Sequence, residues 1–119
     1  MSQGITIISR NDLQTLIREN HDFTLIEVLP EESFAKQHLP GAINIPGDRL
    51  RERAPKVVPD RNSTIVVYCA SPSCTASDRA AALLADMGYT AVHDYRGGKE
   101  HWSEGGLPVE QGAPAGAAA

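Results

Sequence analysis

Both cysteines of the chain, Cys69 and Cys74, lie within TIVVYCASPSCTAS, residues 64–77, where an apolar segment runs into a loop of small residues. A thiolate is a strong nucleophile, but a free thiol with a pKa near ~8.5 is only about 3% ionised at pH 7. The loop carries no ionised side chain before Asp78. Backbone amides and the amino end of the next helix are therefore the groups that can supply a positive electrostatic field to a thiolate. This placement predicts a nucleophilic thiolate held by main-chain donors.

Other interpretations of the cysteine pair stay open at this point. A cysteine that ends a buried strand can be an inert core residue. The two thiols can also form a reversible disulfide if the loop brings their Cα atoms within ~7 Å. A metal site is not expected, because a single C-x4-C spacing lacks the second pair of ligands that structural zinc requires.

Apolar, β-branched stretches alternate with helical patterns along the whole chain. Strands are expected at residues 5–8, 23–29, 42–45, 63–69 and 89–95, with capping boxes opening helices at Ser9/Asp12 and Thr75/Asp78. Such alternation predicts an α/β fold with a central, mostly parallel five-stranded sheet and helices on both faces. Ligands bind such sheets at the carboxyl ends of the strands, which is where Cys69 and Cys74 fall.

Length and composition limit the classes of function. A chain of 119 residues fits one domain, expected over residues 1–110, with a loose tail at 111–119. The net charge of −4, with dispersed Lys and Arg, argues against nucleic acid as a partner. No apolar run approaches the roughly 20 residues that cross a bilayer, so no membrane partner is expected. The start, MSQGITIISRND, lacks an export signal pattern, so a cytoplasmic location is expected.

Three segments in order, LIEVLPEESFAKQHLPGAINIP, IVVYCASPSCTASDRAAALLADMGY and YRGGKEHWSEGGLPVE, together resemble a single-domain rhodanese of the sulfurtransferase family. The resemblance implies that the cysteine after VVY, Cys69, is the nucleophile and that the loop after it cradles a persulfide. It implies transfer of a sulfane sulfur from a small donor to cyanide or to a thiol, including a thiol on a protein, with no cofactor. The loop that would bind substrate is Ala70, Ser71, Pro72, Ser73, Cys74, Thr75, Ala76 and Ser77.

The chain departs from the family pattern in two places. Its loop is about two residues longer than in common single-domain members and contains the additional Cys74, which could resolve the persulfide, protect Cys69 as a disulfide or be the nucleophile itself. We favour Cys69 as the nucleophile. The usual Asp-x-Arg of the early strand is here Glu27, Val28 and Leu29, so a supporting ion pair is expected to be missing. No basic residue lies between Ala70 and Ser77, so the donor, thiosulfate or a persulfide, stays open.

Arg79, early on the helix after the loop, is the candidate anion contact. A phosphatase or arsenate reductase would place an arginine in a C-x5-R pattern, but Thr75 stands six residues after Cys69, and Cys74 to Arg79 is C-x4-R. Phosphate chemistry is therefore disfavoured. The non-catalytic alternative is a redox-sensing or partner-binding module that uses a Cys69/Cys74 disulfide.

Overall fold

The computed structural model describes residues 5–19 and 22–112. Strands and helices alternate along these residues. The strands are β1 (Ile5–Ile7), β2 (Thr24–Glu27), β3 (Ile43–Asn44), β4 (Thr64–Tyr68) and β5 (Ala91–Tyr95). The helices are α1 (Arg10–Arg18), α2 (Glu31–Lys36), α3 (Leu50–Val57), α4 (Ala76–Asp86) and α5 (Gly98–Glu104), and a 3-10 turn, Gly47–Arg49, precedes α3.

The five strands form one sheet in the order β1-β5-β4-β2-β3, and every pairing is parallel. Representative Cα partners are Ile5 with Val92, Leu25 with Val66, Ile26 with Ile43 and Val66 with His93. β4 is the central strand, and its residues 65–68 are fully buried, which accounts for its unbroken apolar sequence. The predicted α/β fold with a parallel five-stranded sheet is confirmed.

Helices cover both faces of the sheet, as the sequence predicted. One core contains Leu50 of α3 and Leu84 of α4, and the other contains Leu13 of α1 and Trp102 of α5. Successive residues of β4 alternate between the two cores, because side chains of a strand point to opposite faces in turn. Val67 and Cys69 therefore belong to the α3/α4 core, and Tyr68 belongs to the α1/α5 core.

The two predicted capping boxes have different outcomes. Ser9 caps α1, since its Oγ accepts from the amide of Asp12 at 3.1 Å. The predicted cap at Thr75 is wrong: its side chain accepts from the guanidinium of Arg79 instead of from a helix amide. The backbone of Thr75, at φ −99° and ψ 5°, lacks the extended conformation that aims a capping oxygen at the first turn.

The end of the described chain packs back on the segment after α2. His38 and Glu110 exchange backbone hydrogen bonds of 2.9 and 2.8 Å, and the amide of Gly112 donates to the carbonyl of Ala35 at 2.9 Å. Residues 113–119 of the predicted tail lie outside the described residues. Among the residues that are described, the longest helix is α4 with 11 residues, and none is both long and apolar enough to span a bilayer.

Candidate active site

Cys69 follows β4 directly, and α5 holds the loop that it begins. The amide of Lys99 donates to the carbonyl of Cys69 at 3.0 Å, and the amide of Glu100 donates to the carbonyl of Ala70 at 2.9 Å. Farther along, the amide of Cys74 donates to the carbonyl of Ser71 at 3.0 Å and closes a tight turn. The loop is therefore fixed at its start by α5 and in its middle by its own backbone.

The contact between α5 and the loop depends on Gly98. This residue has a φ of +68°, a backbone conformation that residues other than glycine rarely adopt. A Cβ built on it would lie 2.7 Å from the carbonyl oxygen of Cys69 and 2.7 Å from the amide nitrogen of Ser71. Only a residue without a side chain lets the first turn of α5 approach the loop backbone this closely.

The thiol of Cys69 is fully buried and unoxidised, and its Sγ donates to the carbonyl of Cys74 at 3.4 Å. Burial raises the pKa of Cys69, and a hydrogen bond to Cys74 raises it further. The amide and the hydroxyl of Ser77 lower it in part. At neutral pH Cys69 is therefore a protonated thiol that needs a proton acceptor before it can attack.

Cys74 lies nearer the surface, and its environment acts in the other direction. Burial alone would raise the pKa of Cys74, but hydrogen bonds from the Cys69 thiol and from the amides of Ala76 and Ala70 outweigh it and lower the pKa. The positive charge of Arg79 adds to this effect. The sequence predicted main-chain donors around the sulfur of residue 69. In the structure the amides of Ala76 and Ala70 donate to Cys74, and only the amide of Ser77 donates to Cys69.

A buried carboxyl group lies behind the loop, and the sequence analysis did not single it out. Asp94 of β5 is 1% exposed, and its Oδ1 has no hydrogen-bond partner. Burial and the nearby Asp78 carboxyl raise the pKa of Asp94 to about 6. Ser77 Oγ, also fully buried, has no hydrogen bond of good geometry although both Cys69 and Asp94 are close to it. The available signal was an aspartate in an otherwise apolar strand.

A buried ion pair supports the site from the other face of the sheet. Glu27, at the end of β2, is fully buried and lies 3.3 Å from the ammonium of Lys99. It also accepts a hydrogen bond of 2.9 Å from the hydroxyl of Tyr68. Burial raises the pKa of Glu27, and Lys99 opposes that rise. The expectation that Glu27 lacks a supporting ion pair is therefore wrong: the cation comes from α5, not from the strand motif.

Two adjoining cavities open at the carboxyl edge of the sheet. The first, of about 350 Å³, is lined by Val28, Gly47, Asp48, Ala76, Arg79 and Leu83. The second, of about 330 Å³, is lined by Pro30, Glu31, Asp48, Arg49 and Arg53. Because Ala76 and Arg79 of α4 line the first cavity, the loop containing Cys74 borders a space large enough for a small molecule.

The family model for the Rhodanese-like domain matches residues 9–105. The chain belongs to the rhodanese-like family. The match includes β4, the cysteine loop and α5, the elements that build the site. It confirms the family that the three sequence segments predicted.

Curated relatives of this rhodanese-like chain include enzymes and a regulator. Thiosulfate sulfurtransferase PspE of Escherichia coli is 40% identical over 75 residues, covering 63% of this chain and 70% of PspE. The HTH-type transcriptional regulator Rv0324 of Mycobacterium tuberculosis is 38% identical over 99 residues, covering 83% of this chain. The chain spans 42% of the regulator's length, so that similarity concerns one domain of a longer protein.

Solved structures share the rhodanese-like architecture. The BH2092 protein of Bacillus halodurans superposes with a TM-score of 0.83 at 29% identity, over 94% of this chain and 81% of that one. A thiosulfate sulfurtransferase of Pseudomonas aeruginosa gives a TM-score of 0.84 at 22% identity, over 92% of this chain and 21% of that one. The second likeness is one of fold alone.

Within this rhodanese-like site, the predicted residues separate into two groups. Cys69, Cys74 and Ser77 come together at the sulfur atoms. The loop tip lies away from them, where the hydroxyls of Ser71 and Ser73 face each other at 3.1 Å. The exposed positions of the loop are Ala70, Pro72, Ser73 and Thr75, and Arg79 is exposed on α4.

Proposed function

We propose that this rhodanese-like domain is a sulfurtransferase that carries a sulfane sulfur as a persulfide on Cys69. The position of the Cys69 thiol supports the proposal, since it follows the central parallel strand and begins a loop that α5 clamps. The membership of the family and the relatives named sulfurtransferases support it independently.

The proposed reaction is a double displacement. The Cys69 thiol first gives up its proton, and Cys74 accepts it in those chains whose Cys74 thiol is ionised, since the pKa of Cys74 is lowered while that of Cys69 is raised. The Cys69 thiolate then attacks the sulfane sulfur of the donor, and the donor's S–S bond breaks with its electron pair leaving on sulfite or a thiolate. An acceptor thiolate or cyanide next attacks the outer sulfur of the persulfide, and the Cys69 thiolate is restored.

The surroundings of the loop suggest how donor and acceptor reach the sulfur. The first cavity, beside Ala76 and Arg79, has room for a small donor, and Arg79 is the cation that an anionic donor would meet there. The exposed loop tip leaves space for a thiol acceptor, including a thiol on another protein. Both thiosulfate and a low-molecular-weight persulfide are therefore candidate donors. The cytoplasmic location stays a prediction.

Intact-mass analysis after incubation with thiosulfate or glutathione persulfide tests residue and reaction together. On a Cys74→Ser chain, in which no second thiol can react with the persulfide, we expect a gain of one sulfur that peptide mapping assigns to Cys69, followed by its loss on addition of cyanide. Cys69→Ser should lower sulfur transfer by about three orders of magnitude or more, because it removes the nucleophile. Turnover of Cys69→Ser at the rate of the unmodified chain would contradict the proposal.

The alternative is a redox-sensing module, and the hydrogen bond from the Cys69 thiol to the Cys74 carbonyl, with both cysteines unoxidised, favours it as the second candidate. In that case mild oxidation would form a Cys69–Cys74 disulfide, and neither donor would add sulfur to the chain. Donor treatment of Cys74→Ser separates the two functions, because that chain cannot form the disulfide and gains one sulfur only if Cys69 accepts it from the donor.

A further inference from the structure

The site contains a second sulfur atom that the double displacement uses only as a proton acceptor. Cys69 Sγ donates a hydrogen bond of 3.4 Å to the carbonyl of Cys74, and the nearby Cys69 thiol helps to lower the pKa of the Cys74 thiol. The turn from Ser71 to Cys74 is closed by a backbone hydrogen bond, so the second thiol is held beside the first. An acceptor thiol is thus built into the loop.

The environments of the two thiols differ in solvent exposure and in how well they stabilise a negative charge on sulfur. Cys69 is fully enclosed, whereas Cys74 is partly exposed and receives the amides of Ala76 and Ala70. Arg79 adds a positive charge on the same side. These groups stabilise negative charge on Cys74, so it is the thiol of the pair that ionises more readily.

We propose that Cys74 is an internal acceptor that resolves the Cys69 persulfide and releases hydrosulfide. This inference rests on the proposed function, because it requires sulfur to be loaded on Cys69 first. Cys74 sulfur attacks the inner sulfur of the persulfide, a bond forms between Cys69 Sγ and Cys74 Sγ, and the bond to the outer sulfur breaks. The outer sulfur leaves with the electron pair and the proton of Cys74 as hydrosulfide. The sulfane sulfur is reduced and the two thiols are oxidised to a disulfide.

A second reactant must then complete the cycle. A dithiol, small or on a protein, reduces the Cys69–Cys74 disulfide and becomes a disulfide itself, which restores both thiols. The first step is intramolecular and has no cost of association, so it should be faster than attack on the outer sulfur by a monothiol that must first bind from solution. The preferred final acceptor is therefore a dithiol, and the sulfur product is hydrosulfide.

A single-turnover experiment with limiting thiosulfate or glutathione persulfide, and no added acceptor, tests this inference. The unmodified chain should release about one hydrosulfide per chain and lose both thiols, and peptide mapping should find Cys69 joined to Cys74. Cys74→Ser and Cys74→Ala lack the proton acceptor at residue 74 and should load more slowly, but they should then keep a stable persulfide on Cys69, with hydrosulfide release reduced at least tenfold. Ala82→Ser, on the exposed side of α4, should behave as the unmodified chain does.

The outcomes separate this inference from the proposed function. A stable persulfide on the unmodified chain, without a disulfide, would overturn the inference and leave the sulfurtransferase intact. Absence of sulfur on Cys69 in the unmodified chain and in both Cys74 variants, with no hydrosulfide released, would overturn both. A second measurement excludes a merely structural role: dithiothreitol should support faster turnover than a monothiol at equal thiol concentration, and Cys74→Ser should abolish that preference.

Discussion

Gly98 and Cys69 are in backbone contact so close that no side chain fits between them. A Cβ on Gly98 would meet the carbonyl oxygen of Cys69 at 2.7 Å, and the next amide, that of Lys99, donates to the same oxygen at 3.0 Å. The position of the loop is thus set by α5, which begins 29 residues farther along the chain than Cys69.

Gly98→Ala should therefore impair both stability and sulfur loading. The positive φ and the overlap with two backbone atoms together should lower the free energy of unfolding by about 2–4 kcal/mol. Gly106→Ala is the matched control, because Gly106 also has a positive φ, +74°, but has no atom within 4 Å of the added Cβ. Urea unfolding should show a smaller loss for Gly106→Ala, with normal sulfur loading. Equal losses in the two variants would contradict the role of the close approach.

Lys99→Met should destabilise the domain by leaving the Glu27 carboxylate buried without its cation. We expect a loss of about 3 kcal/mol in the free energy of unfolding at pH 7. The ammonium also donates to the carbonyls of Ser33 and Gln37, at 2.9 and 2.8 Å, so α2 should loosen as well. Lys56→Met, at an exposed position of α3, serves as the control.

The pH dependence of that loss has a defined sign. The pKa of Glu27 is already raised in the folded state, and removing Lys99 removes a group that lowers it. A carboxyl group whose pKa is higher in the folded state stabilises the fold at pH values below its pKa in the unfolded chain. That stabilisation is lost as the pH rises through the pKa of the folded state. The penalty of Lys99→Met should therefore be larger at pH 7 than at pH 4, and Glu27→Gln in the same chain should recover part of it. A penalty independent of pH would contradict the ion-pair explanation.

The sheet was predictable because apolar periodicity and turn residues are local signals. β4 was identified from its unbroken apolar run, and the position of Cys69 at its end followed from the parallel topology. The strand limits were less accurate: β3 spans Ile43–Asn44 where residues 42–45 were expected. Its shortness reflects pairing with β2 alone at the edge of the sheet.

The details of the site were not predictable, because they depend on contacts between distant segments. The pairing of Glu27 with Lys99 joins residues 72 positions apart, and no local pattern encodes it. The division of donors between Cys69 and Cys74 depends on how one loop folds over the start of α4. The sequence shows that the two cysteines are five positions apart, but it does not show toward which of the two sulfur atoms the loop amides point.

Asp94→Asn should stabilise the domain increasingly as pH rises. The pKa of Asp94 is raised to about 6 in the fold, so its protonated form supports stability at low pH, and that support is lost between about pH 4 and pH 6. Relative to the unmodified chain, the free energy of unfolding of the variant should rise by about 1–2 kcal/mol between pH 4 and pH 7. This is less than the full pKa shift would give, because Asp94 and Asp78 titrate together.

Matched variants test whether Asp94 causes that gain. Asp78→Asn removes the carboxyl that helps to raise the pKa of Asp94. The effect of Asp94→Asn should therefore shrink when it is measured in an Asp78→Asn chain. The exposed Asp86→Asn on α4 should show no comparable pH dependence. Thermal unfolding at several pH values measures these four variants and the unmodified chain. A constant difference between Asp94→Asn and the unmodified chain would contradict the prediction.

Cys74 should react with iodoacetamide before Cys69 does. Cys69 is fully enclosed and burial raises its pKa, whereas the pKa of the more accessible Cys74 is lowered by the Cys69 thiol and by loop amides in spite of partial burial. At pH 7 we expect Cys74 to be alkylated at least about tenfold faster, as measured by timed quenching and peptide mapping. Cys69→Ala removes one donor to Cys74 and should shift its alkylation profile to higher pH. Cys69→Ser keeps a donor there and should shift it less. Equal profiles for these two variants would show that the Cys69 thiol does not stabilise the Cys74 thiolate.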